Sequence, residues 1–208
     1  MNSYGLGSLY SSLSSPTFSS TSSVNFSLSL NVINQLLYQV WGGGAISQEL
    51  SFASLGIGGD ELDLIFPDAT DLQITVDPFV PPVAVINGSD LELQMGDLYI
   101  AVHNGDYSDG DIRMEVYAHI FAPLEITANS SAISASVGEP NSYFDVVYPT
   151  AGAASAEGLL DQLVPLLLPS ITDAIGELEL PSFQGFNITG VSTTVINGQL
   201  ILTGNLSN

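Results

Sequence analysis

From Leu72 onward, apolar residues fall on every second position and the positions between them are acidic or polar. Leu72, Ile74 and Val76 alternate with Asp71, Gln73, Thr75 and Asp77, and Leu91, Leu93 and Met95 alternate with Asp90, Glu92 and Gln94. A period of two marks a strand with one buried face. Such strands belong in an antiparallel sheet, because parallel sheets bury both faces and read as unbroken apolar runs. Leu98, Ile100 and Val102 continue the pattern and are expected to pair across a loop with Ile112, Met114, Val116, Ala118 and Ile120. Asn87-Gly88, between the apolar run 83–86 and the next strand, is a hairpin signal, since both residues tolerate the positive φ that tight turns demand.

Two stretches break this period. Phe26, Leu28 and Leu30 still alternate with Asn25, Ser27 and Ser29, but Val32, Ile33, Leu36, Leu37, Val40 and Trp41 recur at helical spacing. This predicts a helix over residues 31–41, with Asn31 as its N-cap and Gly42-Gly43-Gly44 as its stop. The second helix is expected over residues 155–175, about 30 Å long at 1.5 Å per residue. Its apolar residues, from Leu159 to Ile175, occupy most of the circumference, which predicts an enclosed helix. Pro165 and Pro169 should bend it. After Gly176, Leu178, Leu180 and Phe183 return to strand character, and residues 191–196 and 200–206 flank an Asn197-Gly198 turn.

Composition narrows the function classes. Twenty-two acidic residues face a single basic one, Arg113, for a formal net charge of −21. Nucleic-acid binding depends on neutralising phosphates with Lys and Arg, so it is excluded on this count, as is a polybasic grip on anionic membranes. Solubility in salty surroundings and cation binding are the two readings of such acidity. With no cysteine, disulfides, thiol nucleophiles and Cys-based zinc sites are excluded. The longest apolar stretch, residues 158–171, is interrupted by Asp161 and two prolines and is shorter than the roughly 20 residues that span a bilayer. No basic n-region followed by an apolar h-region opens the chain. Ten of the first twenty-three residues are Ser, a linker composition. Residues 1–23 therefore read as a tether and 24–208 as one domain, with a natural protein expected to extend further N-terminally.

Side chains able to carry chemistry are few. His103 and His119 lie on expected strands beside Tyr99 and Tyr117, with no third ligand in view, so surface or sheet-edge packing is expected for both. No Gly-x-Ser-x-Gly elbow accompanies them, leaving no nucleophile and base for an enzyme, and no cofactor is expected. Asn104, Asp106, Asp109 and Asp111 set oxygen ligands at alternating positions as calcium loops do, but a Glu does not close the loop and an ordinary Asp109-Gly110 turn explains it as well. Asp60, Glu61, Asp63 and Asp68 are similarly ambiguous, with solvation as the default. Asn25, Asn87, Asn129, Asn187 and Asn205 stand in Asn-x-Ser/Thr sequons, which a Ser- and Asn-rich chain produces often by chance.

The phrases Val24-Asn25-Phe26-Ser27-Leu28-Ser29-Leu30 leading into Val32-Ile33-Asn34-Gln35-Leu36-Leu37-Tyr38, Pro81-Pro82-Val83, and above all Leu163-Val164-Pro165-Leu166-Leu167-Leu168-Pro169 running on to Leu178-Glu179-Leu180-Pro181 carry a resemblance. The chain from residue 24 to 206 resembles one barrel, closest to the C-terminal one, of the bactericidal/permeability-increasing (tubular lipid-binding) superfamily. The resemblance implies an α+β fold, a strongly curved antiparallel sheet rolled around a long bent helix with a shorter helix beside it. It implies an apolar slot for a lipid or fatty-acyl ligand, lined here by Ile33, Leu36, Leu37, Val40, Leu160, Leu163, Val164 and Leu167, and an extracytoplasmic location (secreted, periplasmic or cell-surface). Two departures limit it. Family members that seize lipopolysaccharide use clustered Lys and Arg, whereas this chain has Arg113 alone, so lipopolysaccharide binding through basic residues is not expected. The partner barrel of those proteins is not in this chain, and an N-terminal partner barrel is expected in a longer protein. A leucine stripe is also what a closed core requires, so a structural or interaction module with a filled interior stays open beside the carrier reading.

Overall fold

The strands form where the two-residue period runs, and every strand pairing is antiparallel. A computed structural model of the protein describes residues 16, 18, 21–58, 60–88, 90–107, 111–129, 131–148, 153–175, 178–179, 187–196 and 199–207. In chain order the elements are β1 (Val24–Ser29), α1 (Leu30–Gly42), β2 (Gln48–Ser51), a 3-10 turn (Phe52–Leu55), α2 (Asp60–Ile65), β3 (Leu72–Pro78), β4 (Val83–Asn87), β5 (Asp90–Asn104) and β6 (Asp111–Ala128). They continue with β7 (Ala132–Val137), β8 (Asn141–Tyr148), α3 (Ala153–Ile175), β9 (Leu178–Glu179), β10 (Asn187–Ile196) and β11 (Gln199–Ser207). The class is α+β, with a strongly curled antiparallel sheet, as expected.

Hydrogen bonding divides the expected single sheet into two. An eight-stranded sheet runs β2-β3-β5-β6-β7-β9, with β4 also on β5 and β8 also on β6, and a separate three-stranded sheet runs β1-β11-β10. The long pair β5/β6 is the spine, matching Leu98 to Ala118, Ile100 to Val116 and Val102 to Met114. The apolar phase of β5 switches from odd to even numbers between Met95 and Leu98. The ladder shifts register at that point, Gly96 and Asp97 forming the excess, with Asp97 at φ 47°. A bulge of this kind restores the inward aim of Leu98, Ile100 and Val102 and bends the strand.

Ser29, not Asn31, caps α1: its Oγ accepts the Asn31 N–H at 3.1 Å, and Asn31 lies inside the helix. A Ser two residues earlier serves equally well, and the β1 strand ends on it. Gly44, at φ 73°, closes the helix as its N–H donates to the Trp41 carbonyl. Two side chains pin α1 to the sheet. The buried Asn34 amide donates to the Ala84 carbonyl at 3.0 Å and accepts the Ala84 N–H at 2.6 Å, acting as a neighbouring strand for the edge of β4, while Trp41 Nε1 donates to the Pro78 carbonyl at 2.6 Å. Helix α3 is not enclosed as its composition predicts. Leu159, Leu160, Leu163, Val164, Leu167 and Leu168 are buried, whereas Gly158, Asp161, Gln162 and Pro165 face solvent with Leu166, which is 47% exposed. The spacing of these exposed residues defines one outer stripe, so α3 lies on the sheet by one face.

Residues 1–15, most of the expected tether, lie outside the described residues, as do Asp109-Gly110, Gly176, Leu180, Pro181, Phe183 and the Asn197-Gly198 turn, and the side chains of Asp60, Glu61, Pro169, Ile171 and Ile175.

Candidate functional site

The eight residues expected to line a slot come from α1 and α3, which touch each other. Ile33, Leu37, Leu160, Leu163, Val164 and Leu167 are buried in one continuous core with Ile74, Ile100 and Met114 of the sheet, Val40 packs against it half-buried, and Leu36 is half-buried. Among the described residues, one space between this layer and the sheet, bounded by Ile46, Val76, Met95, Leu98, Ile120, Leu167 and Leu168, has a volume of about 10 Å³. That holds one water at most. Leu168 also lines an open groove of about 480 Å³ against the β7–β8 connection at Val137, Gly138 and Pro140.

A larger cavity among the described residues lies at the seam between the two sheets. The β5/β6 ladder ends at Leu91 opposite Leu124, whereas β6 runs on to Ala128 with β7 as its ladder partner there. Past that point β10 meets β6 through one side-chain bond, Thr193 Oγ1 donating to the Ile126 carbonyl at 3.1 Å, instead of a ladder. A cleft of about 830 Å³ results. Its apolar bed is Leu91, Leu124, Ile126, Val195 and Leu200, with Phe121 and Pro123 beside them. Leu91 and Leu124 belong to the main core, Leu200 to a smaller cluster with Ile133 and Leu202, and Ile126 and Val195 pack against both. The cleft is therefore floored by the place where the two cores join. Asn87, Asp90 and Glu92 of the β4/β5 hairpin form one rim, Thr193 and Thr194 of β10 the other, and Glu125, Thr127 and Asn141 complete it. A volume in the hundreds of Å³, an apolar bed and a few polar groups are the ordinary attributes of a small-molecule site.

The rim is acidic and stays so. Hydrogen bonds from the Gln94 and Asn87 side chains, at 2.7 and 2.9 Å, hold the Glu92 carboxyl below the usual carboxylate range. Arg113 lies at the far end of β6, paired with Asp111 at 2.6 Å.

His103, expected at the surface or sheet edge, is 0% exposed. It sits mid-sheet between β3 and β6, its ring nitrogens 3.0 Å from Thr75 Oγ1 and 2.6 Å from the Gly105 carbonyl, with the Tyr107 ring edge-on at 5.3 Å as a cover. His119 is exposed. Of the calcium-loop residues, Asn104 turns its Oδ1 to the Thr70 and Asp71 amides, both at 2.9 Å, and Asp111 is engaged by Arg113. Asp109 is outside the described residues. Among the described residues no group of three or more His, Cys, Asp or Glu is placed to hold a metal ion.

Sequence reasoning missed the cleft because segments distant in sequence build it, residues 87–92, 121–127 and 193–200 together with Asn141. The one local signal was the length of β6, whose alternation outruns that of β5 by several residues.

No protein-family model matches the chain, and no curated protein matches it. Among solved structures it is similar to lipopolysaccharide binding protein, at TM-score 0.45 and 15% identity over 93% of this chain and 45% of that one. It is also similar to P47 of Clostridium botulinum E1 (TM-score 0.36, 13% identity, 67% of this chain and 35% of that one). A third likeness is to P47 from Clostridium botulinum A2 (TM-score 0.34, 15% identity, 66% and 34%). The chain spans less than half the length of each of these three.

Proposed function

We propose that this protein binds an elongated apolar ligand, a lipid or fatty-acyl chain, and that the seam cleft is where the chain lies. The observation that carries the reading is the cleft of about 830 Å³ with its bed of leucine, isoleucine and valine at the junction of the two cores. Each methylene taken from water onto such a bed contributes about 0.8 kcal/mol. The sequence resemblance of residues 24–206 to lipid-binding barrels supports the same reading. Ile33, Leu36, Leu37, Val40, Leu160, Leu163, Val164 and Leu167 belong to the proposal as the inner wall, which would part to admit a longer chain than the cleft holds. An extracytoplasmic location and an N-terminal partner barrel in a longer protein belong to the same proposal, and fractionation of the native host tests the first.

A second reading, a structural or interaction module with a filled interior, is favoured by the space of about 10 Å³ beneath α3. Native mass spectrometry of protein purified from its own host, with solvent extraction, separates the two. Thr194→Trp plugs the cleft from an exposed position, whereas Leu163→Trp overpacks the core. The carrier reading expects lipid recovered per mole to fall in Thr194→Trp while the unfolding free energy measured in urea stays within about 0.5 kcal/mol of delipidated wild type, which is the correct reference because a lost ligand lowers apparent stability by mass action. Leu163→Trp is expected to cost about 1–3 kcal/mol. Repeated recovery of ligand-free protein from the host, with Thr194→Trp unchanged in every respect, replaces the carrier by the closed module.

A further inference from the structure

The seam cleft has a chemistry at its mouth as well as a greasy bed, and that chemistry is one-sided. Asp90, Glu92 and Glu125 stand on the rim, and the polar groups beside them are the Thr193 and Thr194 hydroxyls and the Asn87 and Asn141 amides. Carboxylates accept hydrogen bonds and donate none. Hydroxyls and amides serve either role, but the Asn87 amide nitrogen already donates to Glu92, and Thr193 Oγ1 already donates to Ile126. Thr127, Thr194 and Asn141 remain as neutral groups able to donate or accept, whereas no basic side chain lines the cleft to set against its carboxylates. Arg113, the one basic side chain in the sequence, is committed to Asp111 at the other end of β6.

We infer that the cleft selects amphiphiles by their heads: a single apolar chain joined to a head that donates hydrogen bonds and carries no negative charge, as a hydroxylated neutral head or a primary ammonium does. The inference rests on the carrier reading of the cleft and adds the head chemistry to it. A carboxylate or phosphate head brought to this mouth would meet a rim that carries Asp90, Glu92 and Glu125 and no basic side chain, a juxtaposition of like charges that costs affinity. Phe121 lines the cleft, and an aromatic ring attracts a cation held over its face, which orders an ammonium head at least level with a neutral one.

Displacement of a fluorescent fatty probe from the delipidated full chain, with four ligands sharing a twelve-carbon chain, tests this. The four are dodecylammonium, monolauroylglycerol, dodecyltrimethylammonium and dodecanoate, measured at pH 7.5. Dodecylammonium and monolauroylglycerol are expected to bind at least tenfold tighter than dodecanoate, with dodecyltrimethylammonium, a cation without donors, weaker than dodecylammonium. Because the whole molecule is acidic, the series is repeated in 0.5 M salt, where the general field is screened beyond a few Å and the contacts at the rim persist. The double variant Asp90→Asn/Glu125→Gln is expected to bring dodecanoate to within about threefold of monolauroylglycerol, and Asp145→Asn/Asp173→Asn, which removes the same charge from exposed positions elsewhere on the chain, is expected to leave the tenfold gap in place. If all four ligands bind alike, if dodecanoate binds tightest, or if the two double variants behave the same, head selection is overturned while the carrier reading stands. If none of the four displaces the probe, or if Thr194→Trp leaves every affinity unchanged, the cleft is not the binding site and both fall.

Discussion

On the outer face of the main sheet, single side chains decide how much of the molecule is exposed to solvent. Tyr99 is only 7% exposed although it points away from the core, because Phe79 stacks on it at 5.6 Å and 9°, and Tyr117 leans against it from the next strand. Its hydroxyl donates to Glu115 at 2.7 Å and lies 3.3 Å from that of Tyr107. Burial first, and then the hydrogen bonds made with Tyr107 and to Glu115 together with the Glu115 charge, push the phenol well above the ordinary tyrosine range. A phenol held protonated in the fold but free to ionise near pH 10 in the unfolded chain stabilises the protein below that pH and loses its contribution as pH rises beyond it. Tyr99→Phe is therefore expected to flatten the alkaline fall of the urea midpoint above pH 10, and in absorbance titration to remove the last tyrosine to ionise. An alkaline limb of unchanged slope would show that other groups carry it. Asn34 acts on the core side in the same way. Replacing it by Ala strands a buried donor and acceptor of Ala84, at about 1–3 kcal/mol for each group left unpaired, so a total loss of about 2–6 kcal/mol is expected in urea unfolding, with faster amide exchange in α1 and β4.

The elements show where local sequence speaks and where it falls silent. The strand pairs β4/β5 and β5/β6 and the two main helices follow from period and turn chemistry, since each is decided by residues close in sequence. The periodicity predicts an enclosed α3 because Leu166 counts toward its apolar girth, while Pro165 is read only as a bend. In place, both lie on the solvent stripe, where water can satisfy the carbonyl that a proline leaves without a donor. The division into two sheets was not legible, because it depends on β10 meeting β6 by one Thr193 bond, and Thr193 looks like any outward residue of a strand. The bulge in β5 was legible in retrospect, written as the phase switch between Met95 and Leu98. A similar packing rule lies hidden in Gly204 of β11: a Cβ there would sit 2.7 Å from Ile188 Cγ2 and 3.4 Å from the Thr189 carbonyl oxygen, beside the register shift of β10. Gly204→Ala is expected to cost about 1–3 kcal/mol by overpacking, and adding Ile188→Ala, which removes the crowded methyl, should make the pair lose less than the sum of the two single losses.

At the scale of the whole molecule the charge dominates. A formal charge of −21 with one Arg leaves the carboxylates little to pair with but neutral hydrogen-bond donors, and self-repulsion opposes the compact state. Screening shortens the reach of that repulsion from about 30 Å at 0.01 M to about 8 Å at 0.15 M. The thermal midpoint is therefore expected to rise with sodium chloride over this range by at least about 2–4 °C, the shift that 1 kcal/mol produces in a chain of this size. A midpoint indifferent to salt would mean the carboxylates are already too far apart to matter. The same field governs how the protein meets a membrane. No helix of the described residues is long and apolar enough to cross one. Exposed Asp145, Glu125, Asp97 and Asp173 face outward from β8, β6, the β5 bulge and α3, so carboxylates meet an approaching surface from several sides. A surface of anionic lipid is negative itself, and without basic residues nothing offsets the repulsion. Co-sedimentation with phosphatidylglycerol vesicles is thus expected to be weak in chelator and to stay weak at low salt, where a basic protein would bind most tightly. Millimolar calcium, bridging carboxylates to lipid phosphates, is expected to raise the bound fraction several-fold, whereas the same charge concentration supplied as sodium should not. Tight, calcium-independent sedimentation would place the contact on apolar side chains, with the exposed Phe79 and Val80 as the first to replace.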